Sequence, residues 1–350
     1  MRETRLKSYR SHVFEHMACL RILLLPALSA AFGTAPQTRI RLGKISKSEN
    51  RVQNKECLDT GQKTMNPTQV QAGHMKHAVM IDINNGAGRC SGVLISRMHV
   101  LTAAHCFVKE EECHLGVTSL KTATFASFQK MPVRVFVGGA CALLESPGTC
   151  GGNVMSKTNA VHIGVPRRYF GSRCRSGDIA IVQLAERLPI RDEIDFACLP
   201  KRTMKLHHTT EMAGFGYDPS NAGADVVHMK IITLTRERFC DPGTHAGKDV
   251  FCMHEDGQLA CKGDSGGGVI QKEDSKPFVM GVLSKGLNCN DVLMEINRNL
   301  RKHMSGHEDF RGTVITDVRK YLDWICFHSG VCERHILRKR MKITKIVMIY

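Results

Sequence analysis

The amino-acid sequence predicts an all-β protein, a sandwich or barrel that is held together by disulfide bonds and followed by one C-terminal helix. Short apolar or alternating runs recur along the chain, and Gly, Asn or Asp separates most of them. Such runs without helical patterns between them are typical of all-β folds. The 350 residues include 15 cysteines at irregular spacings, which is typical of disulfide-bonded proteins from an oxidising compartment.

The predicted elements follow from these runs in chain order. Strands are predicted at His77–Ile83, Ser91–Ile95, Pro132–Val137, Ile179–Leu184, Val227–Leu234, Gly267–Ile270, Phe278–Leu283 and Thr313–Thr316. The segment Asp317–Ile325 is predicted as a helix, because its apolar residues recur every three or four positions after the aspartate.

The net charge of the chain is strongly positive, as in many proteins that bind nucleic acids, but the distribution of this charge along the chain argues against that function. The formal net charge is +16, but residues 1–63 carry +7 and residues 334–350 carry +6 of it. The intervening stretch is therefore nearly balanced, and no nucleic-acid partner is predicted. A hydrophobic content of 42% excludes wholesale disorder.

Both ends of the chain are interpreted as lying outside the main domain. Residues 1–31 are predicted as a signal peptide region, because a basic flank precedes the apolar run Ile22–Leu28 and small residues follow it. This run is too short to cross a bilayer, so a secreted, extracellular protein without a stable membrane span is expected. A buried core helix is the competing interpretation of the run, and Met17 is an alternative start. Residues 327–350 are predicted as a basic, solvated tail, with contact to an anionic surface as the alternative.

Three short motifs carry the candidate chemistry. His105 lies in the string Leu101–Cys106, Asp178 in Ser176–Ala180, and Ser265 in Gly263–Gly267. A serine hydroxyl becomes a nucleophile when a neutral imidazole takes its proton, and a carboxylate on the far ring nitrogen orients that imidazole. The three residues are therefore predicted as a catalytic triad. No metal motif is completed by the other histidines, and no metal or cofactor is predicted.

These motifs, in the order His, Asp, Ser, resemble those of the trypsin-like serine proteases of the chymotrypsin family. The resemblance covers residues 70–326, which are predicted as the protease domain, with residues 32–69 as a pro-segment or linker. It implies two six-stranded Greek-key antiparallel β-barrels and an endopeptidase that cleaves protein or peptide substrates through an acyl-enzyme intermediate. It also implies a zymogen, an activating protease and inhibitors as partners, and an oxyanion hole formed by the N–H groups of Gly263 and Ser265.

The resemblance also implies disulfide partners for eight cysteines. The implied pairs are Cys90–Cys106, Cys240–Cys252, Cys261–Cys289 and, as a tether for the pro-segment, Cys57–Cys198. Besides Cys19 in the signal peptide region, six cysteines remain, and the sequence does not choose among their possible pairings: Cys113, Cys141, Cys150, Cys174, Cys326 and Cys332. Several of these fall between His105 and Asp178, where an insertion stapled by its own bridges is predicted.

Two departures from the family pattern concern substrate preference and activation. Leu259 stands at the implied floor of the specificity pocket, with Ser284 and Gly286 on its wall, so a preference for apolar side chains is predicted. Asp264 is implied to pair with an amine freed by cleavage, but the candidate start at Val70 follows Gln69 and not Lys or Arg. An inactive homologue that binds extracellular partners is the alternative function.

Overall fold

Two closed six-stranded antiparallel barrels form the body of the protein, and they confirm the predicted fold class. The computed structural model describes residues 41–58, 75–108, 132–144, 150, 152–189, 193–217, 226–240, 247–256, 260–286, 313–333 and 346–348. The strands of this part are β1 (Ala78–Ile83), β2 (Gly88–Ser96), β3 (His99–Thr102), β4 (Val133–Val137), β5 (Cys141–Leu143), β6 (Ser156–Pro166), β7 (Ala180–Leu184), β8 (Thr209–Gly214), β9 (Val226–His228), β10 (Lys230–Arg236), β11 (Val250–Asp256), β12 (Gly268–Glu273), β13 (Lys276–Lys285), β14 (Thr313–Asp317) and β15 (Ile346–Met348). The α-helices are α1 (Lys47–Leu58), α2 (Arg167–Gly171) and α3 (Leu322–Ser329).

The two barrels repeat one strand order. The first runs β4-β1-β2-β3-β7-β6 and closes through the pairing of β4 with β6. The second runs β12-β8-β10-β11-β14-β13 and closes through β12 and β13. In each, the fourth strand of the barrel along the chain lies beside the first, which is the Greek-key arrangement.

The core follows the period-2 alternation of the strands. Val79 and Ile81 of β1 pack inside the first barrel, whereas Met80 joins a cluster that both barrels share. Val282 of β13 and Trp324 of α3 belong to the same shared cluster. Because successive side chains of a strand point to opposite faces, one strand can line a barrel and also contact its neighbour.

The structure differs from the predicted elements at several places. The predicted strand Val227–Leu234 is divided into β9, which pairs with β5, and β10, which belongs to the second barrel. Strand β6 was not predicted, because its first half is polar and mostly exposed. The predicted C-terminal helix begins as a 3-10 turn, Val318–Lys320, in which the Asp317 side chain accepts the Arg319 N–H, and continues as α3.

The predicted linker contains a docked helix. Helix α1 buries only Gln53, so it has no apolar face that a sequence pattern could reveal. It is held instead by polar bonds: Asn54 Nδ2 donates to Cys332 O at 3.0 Å, and Cys332 N donates to Asn50 Oδ1 at 2.9 Å. A disulfide joins Cys57 to Cys198.

Two parts of the predicted C-terminal tail, residues 327–333 and 346–348, are described in the structure. A disulfide joins Cys326 to Cys332, and burial continues through Glu333. Strand β15 pairs antiparallel with β6. None of the helices in the described ranges is long and apolar enough to cross a membrane.

Further disulfides join other parts of the described chain. Cys90 is bonded to Cys106, Cys240 to Cys252, and Cys141 to Cys150. Cys174 and Cys261 are also disulfide-bonded. Cys113 and Cys289 lie outside the described residues.

Candidate active site

His105 lies on a 3-10 turn, Ala104–Cys106, directly after β3. The Cys90–Cys106 disulfide ties this turn to β2. The Thr102 hydroxyl, at the end of β3, donates to the carbonyl of Ser91 at 2.7 Å and adds a second tie to β2. The histidine is thus positioned by the first barrel.

Asp178 precedes β7 in a loop that a second buried carboxylate organises. Asp249 accepts a hydrogen bond from the Ser176 hydroxyl at 2.6 Å, another from the Gly177 N–H at 2.8 Å, and a third from the Tyr321 hydroxyl. Asp249 is 2% exposed, so these bonds replace its lost hydration. Asp249 thus holds the residues immediately before Asp178.

The carboxylate of Asp178 bridges His105 and Ser284. Its Oδ1 accepts the backbone N–H of His105 at 2.9 Å, and its Oδ2 lies 2.8 Å from His105 Nδ1. The Ser284 hydroxyl donates to Oδ2 at 2.6 Å, and the Thr316 hydroxyl donates to the Asp178 carbonyl at 2.9 Å. The imidazole therefore has a defined orientation, with Nε2 left for another partner.

Electrostatics strengthen this pair. Burial by itself would raise the pKa of Asp178, but the charge and hydrogen bonds of His105 and the bond from Ser284 outweigh it, so the pKa is lowered. Burial would lower the pKa of His105, but the Asp178 carboxylate more than compensates, and the pKa is raised. Lys285 opposes that rise. An imidazolium is thus stabilised beside a carboxylate that stays ionised.

Ser265 lies in a tight loop between β11 and β12. The loop turns at Gly266, which has a φ of +84°, a backbone conformation that glycine adopts with little strain. A Cβ atom at this position would overlap Thr102 Oγ1 and Ser91 O. The N–H of Ser91 donates to the Ser265 carbonyl at 2.8 Å. Ser91 and Thr102 thus join the serine loop to the first barrel. Within the described ranges, no hydrogen bond links the Ser265 side chain to His105.

Two backbone donors of this loop stay unused. The N–H of Asp264 donates to the Cys261 carbonyl at 2.9 Å, and the Ser91 hydroxyl donates to the Gly263 carbonyl at 2.9 Å. The N–H groups of Gly263 and Ser265 donate to no acceptor in the part of the chain that the structure describes. Two nearby free N–H donors can bind an anionic oxygen.

Asp264 is drawn into the protein. Its carboxylate accepts the Gly216 N–H at 2.7 Å and the Cys261 N–H at 2.6 Å, and Lys230 Nζ lies 2.5 Å from Oδ2. The side chain of Asp264 is fully buried, and that of Lys230 is 11% exposed. Among the described residues, the cation that pairs with the Asp264 carboxylate is therefore the side chain of Lys230.

The predicted specificity residues are only partly described. Leu259 lies outside the described residues. Ser284 is 6% exposed, and its hydroxyl points to Asp178. Gly286 faces Thr313 closely enough that a Cβ on Gly286 would lie 2.8 Å from Thr313 Cγ2.

Sequence reasoning missed Asp249, Ser91, Lys230 and Thr313. Asp249 and Lys230 lie in no recognisable motif, because their partners are distant along the chain. Ser91 directly follows Cys90, so the disulfide pattern was the signal that could have drawn attention to it.

The comparisons agree with this geometry. The family model described as Trypsin matches residues 64–138 and 148–297, which is more than half of the chain. A trypsin-like protease of Caenorhabditis elegans, try-5, is 28% identical over 70% of this chain and 84% of its own length.

Two further relatives are larger proteins. The human transmembrane protease serine 11A is 26% identical over 69% of this chain and 50% of its own length. The bovine tissue-type plasminogen activator is 26% identical over 67% of this chain, and the match spans 38% of that protein. Together with the two barrels, the matching family model shows that this chain is a divergent member of the trypsin family of serine proteases.

Proposed function

We propose that this protein is a secreted serine endopeptidase in which Ser265 is the nucleophile, His105 the general base and acid, and Asp178 the orienting carboxylate. The observation that carries the proposal is a pair of hydrogen bonds between His105 and Asp178 beside a serine loop that the Ser91 N–H ties to the same barrel. The disulfides of the described chain are consistent with an oxidising, extracellular location. Disulfide-tethered docking of residues 41–58 is consistent with a pro-segment.

The proposed reaction uses each of these groups in turn. His105 Nε2 takes the Ser265 proton while the Ser265 oxygen attacks the scissile carbonyl carbon. The imidazolium is stabilised by Asp178, and the N–H groups of Gly263 and Ser265 bind the oxyanion. The imidazolium then protonates the leaving amine as the C–N bond breaks. In the second half, His105 takes a proton from water while the water oxygen attacks the acyl carbon, and the imidazolium returns the proton to the Ser265 oxygen as the ester C–O bond breaks.

Substrate preference is proposed to be for apolar side chains of limited size. The family resemblance assigns the pocket floor to Leu259, which supplies no carboxylate for a substrate cation, and an unpaired buried cation is costly. Thr313 approaches Gly286 and narrows the space beside it. Leu259→Asp is expected to shift kcat/KM toward peptides with Lys or Arg before the scissile bond. Unchanged selectivity in a peptide library would contradict the assigned pocket.

The experiment that tests the proposed chemistry is covalent labelling with a fluorophosphonate, which reacts with an activated serine. The full-length protein is tested before and after limited proteolysis, with Ser265→Ala as the matched variant. Labelling of the wild type and its loss in Ser265→Ala are expected. A folded wild type that is labelled in neither form would refute the proposed activity.

A binding protein without activity is the second candidate. It is favoured by Gln69 before Val70, where the family resemblance implies a basic residue for activating cleavage. The labelling experiment separates the two candidates, because an inactive homologue stays unlabelled after proteolysis as well as before it.

A further inference from the structure

A buried ion pair lies beneath the serine loop. Asp264, which directly precedes the proposed nucleophile, is fully buried, and its Oδ2 lies 2.5 Å from the ammonium group of Lys230 at the start of β10. Because the Lys230 side chain is only 11% exposed, little water shares this contact. The pair is thus part of the interior and is weakly screened by solvent.

The carboxylate depends on this cation. Burial raises the pKa of Asp264, whereas Lys230 and the N–H donors of Cys261 and Gly216 oppose the rise. Arg89 also attracts Asp264, and Glu255 repels it. Of these charged groups, Lys230 is the one that forms an ion pair with the Asp264 carboxylate in the described structure. A buried carboxylate that loses its partner is strongly destabilised and either takes up a proton or moves toward water.

Movement of Asp264 would displace the proposed oxyanion hole. Gly263 and Ser265 flank Asp264 directly, so the position of its side chain sets the two adjoining peptide groups. Gly263 adopts a φ of +102°, and its carbonyl is held by the Ser91 hydroxyl. With the Asp264 carboxylate directed inward, the N–H groups of Gly263 and Ser265 donate to no acceptor among the described residues.

The origin of the cation separates this chain from the family pattern. The family resemblance assigns the counter-charge to an amine that appears only after cleavage, yet the residue directly before Val70 is Gln69 and not Lys or Arg. A lysine side chain needs no cleavage. We propose that Lys230 is a positioning residue that neutralises Asp264 in the uncleaved chain and so holds the serine loop in its reactive arrangement.

This inference rests on the proposed protease function, and its test uses the full-length, uncleaved protein, checked by N-terminal sequencing. The rate of fluorophosphonate labelling is measured for the wild type, Lys230→Met and Lys230→Arg. Lys272→Met is the matched control, because Lys272 forms a surface pair with Glu211 at 3.5 Å on the same barrel. Melting temperatures establish that each variant is folded.

The uncleaved wild type is expected to be labelled. Lys230→Met should be labelled about 10²-fold more slowly, the scale of losing an oxyanion donor. Lys230→Arg, which keeps the charge, should recover most of the rate, and Lys272→Met should match the wild type. If Lys230→Met does not fold, Lys230→Gln replaces it, because glutamine keeps a donor but carries no charge.

Two results would overturn the inference and leave the protease function intact: labelling of the wild type only after cleavage, or equal labelling of uncleaved wild type and folded Lys230→Met. Recovery of Lys230→Met after cleavage would support the inference, because the new amine would then replace the missing charge. A folded wild type that is unlabelled in both forms would instead refute the proposed function itself.

Discussion

The two halves of the candidate site are stabilised in opposite ways. In the base half, the Asp178 carboxylate accepts hydrogen bonds from His105 and Ser284, and Asp249 accepts further bonds from the residues just before Asp178. In the serine half, two backbone N–H groups have no acceptor within the described part of the chain, and the loop depends on the Asp264 ion pair and on Ser91. A base must keep one orientation while it takes up and returns a proton, whereas an oxyanion hole needs donors that are held in place but unoccupied.

The largest expected effect comes from breaking the base half at its charge. Asp178→Asn removes the carboxylate that orients His105 and stabilises its charged form, so kcat/KM is expected to fall about 10⁴-fold. In the wild type the raised pKa of His105 moves the acid limb of the kcat/KM profile to higher pH than an imidazole without a carboxylate partner would give. In Asp178→Asn, burial acts unopposed and the limb moves to lower pH. A limb at the same pH in both proteins would contradict the electrostatic role of Asp178.

Ser91→Ala tests the serine half. The Ser91 hydroxyl donates to Gly263 O and accepts the Phe215 N–H, both at 2.9 Å, and the residue is 0% exposed. Its removal leaves two buried backbone groups without partners, which should cost about 2 kcal/mol in the free energy of unfolding. The labelling rate of Ser265 should fall as well, whereas Ser48→Ala at an exposed site should change neither quantity. A loss of stability with an unchanged labelling rate would show that Ser91 supports the fold alone.

Asp249→Asn sharpens the comparison, because Asp249 supports the base half without touching His105. The loop before Asp178 should loosen, and kcat should fall by on the order of 10-fold, as misplacement of a catalytic group predicts. Asp82→Asn is the matched buried carboxylate, since Asp82 pairs with Arg134 and accepts the Gly86 N–H, and neither partner belongs to the loop before Asp178. We expect Asp82→Asn to lower the melting temperature with kcat retained. Equal kcat values in the two variants would show that Asp249 does not position Asp178.

The smallest expected effect concerns Glu255, a neighbour of the serine half. Burial raises the pKa of Glu255 from 4.5 to about 7. The folded state therefore holds a proton that the unfolded state releases, so stability falls as the pH rises from about 4.5 to 7. Glu255→Gln should flatten the unfolding free energy over this pH window. An unchanged pH dependence in urea titrations would show that other groups cause it.

Much of the fold followed from local patterns, and the exceptions have physical reasons. The alternating apolar residues of β1 and β13 identify them as strands, because one face of each must be buried. Helix α1 and strand β6 escaped prediction, since polar side-chain bonds and strand pairing stabilise them without an apolar pattern. Their stability comes from partners that are remote in sequence.

The sequence by itself determined the all-β class, the trypsin-like family and the three motifs that carry His105, Asp178 and Ser265. Those properties are encoded within short windows, by side-chain period and by residue types at fixed spacing. Only the tertiary structure decided that Lys230 meets Asp264 and that Asp249 supports the Asp178 loop. Lys230 lies on β10 and Asp264 lies in the loop between β11 and β12, so they are distant along the chain. Their attraction becomes strong only when the fold removes both side chains from water.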